Sequence, residues 1–150
     1  MDFEYIVFAV LLFLTFFNNG VQAYIHFEAY PLLSYVAKSE FSNYVSEYER
    51  RLTIPLLLPY GVTLLANIVA LIAHPEDISL IWLIIALVLN VSVAMVTLRL
   101  ATPVYNQIKA AGEATGTLMA RLMQINLWRL VLSTLSSVIM FYLLLDLFSA

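Results

Sequence analysis

At 150 residues the chain is long enough for one domain. It is 63% hydrophobic and 11% charged, with a mean hydropathy of +0.92. Soluble domains are about half apolar and a quarter charged, so a water-facing globule is excluded. A net charge of −3 without basic clusters argues against a nucleic-acid partner, and the lack of cysteine excludes disulfides, thiolate metal sites and cysteine nucleophiles.

The apolar excess is gathered in four runs, each about 20 residues long, the length that crosses roughly 30 Å of hydrocarbon at about 1.5 Å per residue. The runs lack the period-two alternation and hairpin turns of a membrane β-barrel. The expected fold is all-α: one integral membrane domain over residues 1–150, a four-helix bundle. The first span covers about residues 4–30, with Pro31 near its end. Its start, Met1-Asp2-Phe3-Glu4-Tyr5, has neither the basic n-region nor the small-residue cleavage site of a signal peptide, so it reads as a retained helix. Residues 39–52 are too polar to span. Phe41, Tyr44, Val45, Tyr48 and Leu52 recur at three- and four-residue steps and predict a short amphipathic helix, lying at the interface or leading into the second span. Ser39 is its expected N-cap, with Glu40 in the first turn.

The second span covers about 53–73; Pro55 falls near its start and Pro59 predicts a kink. His74-Pro75-Glu76-Asp77 forms a tight connection to a third span at about 78–100, which is open to continuation past Pro103 to Ala110. Gly112 to Thr117 is a small-residue turn before a fourth span at about 118–147. Lys38, Arg50 and Arg51 lie between the first two spans, and Arg99, Lys109 and Arg121 lie around the last connection. The short second connection has neither Lys nor Arg, so the positive-inside rule puts both termini outside, in the periplasm of a bacterial inner membrane, and the two longer connections in the cytoplasm.

Polar side chains inside a membrane helix face the bundle interior or a watery cavity, because lipid cannot solvate them. Thr15, Asn19, Gln22, His26 and Tyr30 follow steps of 4, 3, 4 and 4 on the first helix and share a face. Tyr60, Thr63 and Asn67 form a second stripe, and Asn90 and Thr97 a third. Asn126, Arg129, Ser133 and Ser137 form the fourth. Turning all four stripes inward gives a pocket that is polar at a cytoplasmic mouth and apolar deeper in, where Phe8, Leu11 and Leu12 face Phe141 and Leu144. Such a shape suits an amphipathic small molecule. The plainer reading is that Asn, Ser and Thr only hydrogen-bond neighbouring helices, at about 0.6–2 kcal/mol each. Likewise Glu28 or Glu47 is an available partner that would make Arg129 structural, and Arg50 and Arg51 would set topology at the interface.

No metal or other cofactor is expected. The two histidines, His26 and His74, fall on opposite membrane sides, and His26 and Glu28 point about 200° apart on one helix. No nucleophile–histidine–acid set, phosphate loop or dinucleotide fingerprint is present. What remains is acid–base work by His26, with Arg129 and Asn126 as anion stabilisers.

His26-Phe-Glu28-Ala-Tyr30-Pro31, Tyr48-Glu-Arg50-Arg51 before Pro55, Thr97 through Pro103 to Leu118, and Asn126-Leu-Trp128-Arg129 together resemble small bacterial four-helix membrane proteins of the anthrone-oxygenase-like family. The resemblance spans about residues 19–144 and implies cofactor-free oxidation of an anthrone-type polyketide. It would make His26 the base, with Asn126 and Arg129 near the substrate oxygen. Three functions stay open. One is His26-based chemistry on a lipophilic ketone, quinone or isoprenoid. Another is an accessory subunit of a larger membrane complex or homo-oligomer. The third is a non-catalytic lipid or quinone binder, with Asn19, Gln22, Tyr30, Tyr60, Thr97 and Asn126 as ligand contacts and Glu28, Glu47, Arg50 and Arg51 as interface charges.

Overall fold

A computed structural model describes residues 2–114 and 116–149, apart from the side chain of Leu52. Four long helices account for nearly all of them: α1 Phe3–Leu33, α2 Phe41–Ile72, α3 Leu80–Ala111 and α4 Gly116–Ser149. Connections this short force antiparallel neighbours. α1 packs on α2 and α4, and α3 packs on α2 and α4, so the helices close a ring in chain order.

The polarity is inside-out. Exposed positions on α1 are Phe3, Ile6, Val10, Phe13 and Phe27, while Thr15, Asn18 and Gln22 are buried. Ile72 is 84% and Ile81 69% exposed. Apolar surface on this scale aggregates in water, and all four helices are long and apolar enough to span a bilayer. The chain is an integral membrane protein. Helices of 31–34 residues measure about 46–51 Å at 1.5 Å per residue, so each extends beyond a hydrocarbon layer of roughly 30 Å.

Inside the ring, two apolar clusters sandwich a polar belt. Val7, Phe8, Leu11, Leu83, Ala86, Met140 and Leu143 fill the end that carries the termini. Ile25, Leu33, Phe41, Val45, Val104, Ile108 and Leu122 fill the other. Between them lie the buried side chains of Thr15, Asn18, Gln22, Thr63, Asn67, Asn90, Asn126, Arg129, Ser133, Ser136 and Ser137. Polarity is thus concentrated at mid-depth rather than at the mouth where it was expected, with an apolar layer on either side.

Two elements depart from expectation. The amphipathic segment after residue 39 is not a separate interfacial helix but leads straight into the second span, the other arrangement expected; it forms the first turns of α2, which runs unbroken from Phe41 through Pro55 and Pro59. A proline deletes one backbone bond and crowds the carbonyl four residues back. The four-residue spacing keeps both rings on one side of the helix, where Pro55 is exposed and Pro59 half-buried. Phe41 and Val45 anchor the early turns by burying against α3 and α4 residues. The N-cap is Glu40, not Ser39, and its side chain makes no capping bond.

α1 and α3 each contain a π-helical turn, Ile25–Ala29 and Thr97–Ala101. Each ends two residues before a proline, Pro31 and Pro103. The wider turn spares the carbonyl that the proline ring would strike. In α3 the Thr97 carbonyl accepts the backbone N–H of Thr102 and, at 3.0 Å, its hydroxyl as well. Both π turns pack against α4. α3 stops at Gly112, whose φ of 67° is the left-handed conformation of a helix end. The small-residue turn expected at 112–117 includes Thr115, which lies outside the described residues.

Candidate ligand-binding cavity

α2 packs closely on the first half of α3, Leu80–Val96, and more loosely on its π turn and the segment beyond it. The separation leaves a cavity of about 260 Å³ at the bundle's second end. Tyr30 of α1, Tyr48, Glu49 and Leu56 of α2, Thr97 and Tyr105 of α3, and Arg129 of α4 are among its walls. A deeper lobe of about 160 Å³ adds Gln22, Tyr60, Ala94 and Leu98. Leu56, Leu57, Thr97 and Arg129 line both, so one elongated guest can occupy the two together. Both π turns contribute to the wall, one through Ile25 and the other through Thr97 and Ala101.

Arg129 is the chemical centre. It is 3% exposed and sits eight residues along α4 from the exposed Arg121, about 12 Å deeper at 1.5 Å per residue. Its Nη1 donates to Asn126 Oδ1 at 3.1 Å. Its Nε is buried and meets no acceptor. Among the described residues, no carboxylate pairs with it. Neither expected partner reaches it: Glu28 is exposed, and Glu47 accepts from Arg50 at 2.7 and 2.8 Å and from Arg51 at 2.6 Å. At the mouth, Lys109 Nζ donates to both Glu49 oxygens at 2.8 and 2.9 Å, tying α2 to α3.

A buried guanidinium without a counter-charge costs several kcal/mol, and each orphaned buried polar group about 1–3 kcal/mol. Gln22 Oε1, Tyr105 Oη, Asn126 Nδ2 and Arg129 Nε are orphaned in and beside the cavity, and Asn67 Oδ1, Asn90 Nδ2 and Ser136 Oγ elsewhere in the belt. Other belt groups are paired across helices. Asn18 Nδ2 donates to Thr63 Oγ1 at 2.6 Å. The hydroxyls of Ser133 and Thr134 donate to Asn19 Oδ1 at 2.9 and 3.0 Å. Tyr60 donates to the Asn90 carbonyl.

The structure divides the residues singled out from sequence. Gln22, Tyr30, Tyr60, Thr97 and Arg129 converge on the cavity. Asn126 is fully buried behind Arg129 as its hydrogen-bond partner. Asn19 stands on the α1–α4 seam beside Phe16 and Phe141. His26 lines neither lobe; it is half-buried, its ring edge-on to Phe27 at 5.0 Å and its Nδ1 without a partner. Glu47 and Arg51 border a separate surface hollow with Tyr24 and Tyr44. Among the described residues, no three His, Cys, Asp or Glu side chains gather as a metal site would require. Sequence reasoning missed Glu49, Tyr48, Tyr105 and Asn18. Asn18 had a signal, since Thr15, Asn18 and Gln22 fit helical spacing as well as the stripe through Asn19 does.

Comparison of the chain with protein-family models, curated proteins and solved structures found no match. The function is therefore argued from the cavity alone.

Proposed function

We propose that this protein binds a lipophilic molecule by an oxygen-bearing head, held on Arg129 in the cavity between α2, α3 and α4. One observation carries the proposal: a buried guanidinium with a free Nε and no acid faces open space on both sides of Leu56 and Thr97. An oxygen acceptor placed there supplies the missing bond. Gln22 and Tyr60 flank the head, and Leu56, Leu57, Ala94 and Leu98 receive the body. Following the positive-inside rule, the mouth opens to the cytoplasm of a bacterial inner membrane and both termini lie outside. Binding without chemistry is the favoured form, because neither His26 nor His74 borders the cavity among the described residues. An oxygenase role of the kind the sequence resemblance implies would need a different base.

Native mass spectrometry of gently solubilised protein tests this. The wild type should carry a bound lipophilic molecule, and Arg129→Gln should lose it, because a charge-assisted hydrogen bond of about 1.5–3 kcal/mol is roughly ten- to a hundredfold in affinity. Equal occupancy in both proteins, or a wild type that stays bare after incubation with total membrane lipid, would overturn the proposal.

A further inference from the structure

We infer that the guest is a single-chain lipid acid that enters sideways from the bilayer, sets its anionic head on Arg129 and leaves its tail among the lipids between α2 and α3. The inference rests on the binding role proposed above and specifies its ligand class and route.

Charge selects an acid. Among the residues lining the two lobes, only Glu49 and Arg129 are charged. Glu49 is already held by Lys109, so the unbalanced charge is the cation. A neutral quinone or ketone would satisfy the Nε hydrogen bond but leave the positive charge uncompensated in a low-dielectric interior. A carboxylate or phosphate monoester does both, and guanidinium geometry favours such planar or forked oxygens.

Volume selects a single chain, held only by its head. The inner lobe of about 160 Å³ and the outer one of about 260 Å³ together reach only the lower end of the roughly 300–1,000 Å³ of sites that enclose a drug-sized ligand. They have room for a head and the first carbons of a long chain, and not for its full length. The remainder must lie elsewhere, and the wall shows where. Leu57 and Leu98 line the inner lobe yet are 61% and 68% exposed, on a face that meets lipid. The slot between them is the stretch where α2 and α3 part. The Glu49–Lys109 bridge joins the two helices at the mouth, and the exposed flanks of Leu57 and Leu98 give a long apolar chain a way in from the lipid side.

The test uses the full chain in phosphatidylcholine nanodiscs. Spin-labelled stearates carry the nitroxide either near the carboxyl or near the methyl end. The first should be immobilised and the second should stay as mobile as in bare lipid. Oleate should compete, oleyl alcohol should not, and Arg129→Gln should weaken oleate roughly ten- to a hundredfold. A lysophosphatidate arm separates the two heads: whichever of oleate and lysophosphatidate binds more tightly assigns carboxylate or phosphate, and both support the inference. Immobilisation of both labels would show the tail swallowed by the bundle and overturn the lateral placement. If a short-chain quinone binds in an Arg129-dependent manner and no acid does, the acid assignment fails while the cavity remains a binding site. If no probe senses Arg129→Gln, both fall.

Discussion

Replacing Arg129 with methionine separates a binding residue from a structural one, because the two roles predict opposite signs for stability. Methionine follows the apolar stem of arginine and fills irregular space. In the ligand-free protein the substitution removes a buried charge that has no acid partner among the described residues. An uncompensated buried charge costs about 3–5 kcal/mol. What is lost is the single bond from Nη1 to Asn126 Oδ1, 3.1 Å long, worth about 1.5–3 kcal/mol as a charge-assisted hydrogen bond. At the midpoints the difference favours Arg129→Met by about 2 kcal/mol, or about 4–8 °C in Tm for a chain of this size. Thermal unfolding of delipidated protein in mild detergent, followed by tryptophan fluorescence, measures it. The same variant should gain nothing from added oleate. An Arg129→Met protein that unfolds several degrees below the wild type would refute the reasoning and make the guanidinium a member of the packing belt.

The belt itself can be tested by a double-mutant cycle on Asn18→Ala and Thr63→Val, across the 2.6 Å bond joining α1 to α2; reversible unfolding should give a coupling of about 0.6–1.7 kcal/mol, and additivity would remove the bond as a stabilising contact. Gly112→Ala forces a Cβ into the left-handed conformation at φ 67° and should lower stability by about 1 kcal/mol in the same assay, although nothing crowds the added carbon. Orientation is open to labelling because the chain has no cysteine: in intact cells an impermeant maleimide should modify Asp77→Cys and reach Ser39→Cys only after lysis.

The four spans were legible because apolar length is a direct readout of bilayer thickness. The belt was legible because polar side chains in such helices have one place to go. Register was harder. Asn18 and Asn19 are adjacent, about 100° apart on the helix, and the spacing of Thr15 and Gln22 accommodates either; packing against Thr63 turned Asn18 inward and left Asn19 on the seam with α4. The π turn at Ile25–Ala29 then inserts an extra residue, so a pattern projected through it carries Tyr30 to the cavity and not His26. Local sequence does not announce such a turn except through the proline two residues past its end. The continuity of α2 was hidden for a related reason: polar turns followed by two prolines suggest a break, yet burial of Phe41 and Val45 outweighs the two lost backbone bonds. Glu49, Tyr48 and Tyr105 became cavity residues only through the divergence of α2 from α3, a long-range property that no single segment encodes.

The most direct test is an experimental structure determined from lipidic mesophase after incubation with oleate. Density for a lipid oxygen within hydrogen-bond reach of Arg129 Nε, about 2.7–3.1 Å, with its chain leaving past Leu57 and Leu98, is the predicted result. A guanidinium already satisfied by a carboxylate of the protein, over an interior that holds no foreign molecule, would contradict it.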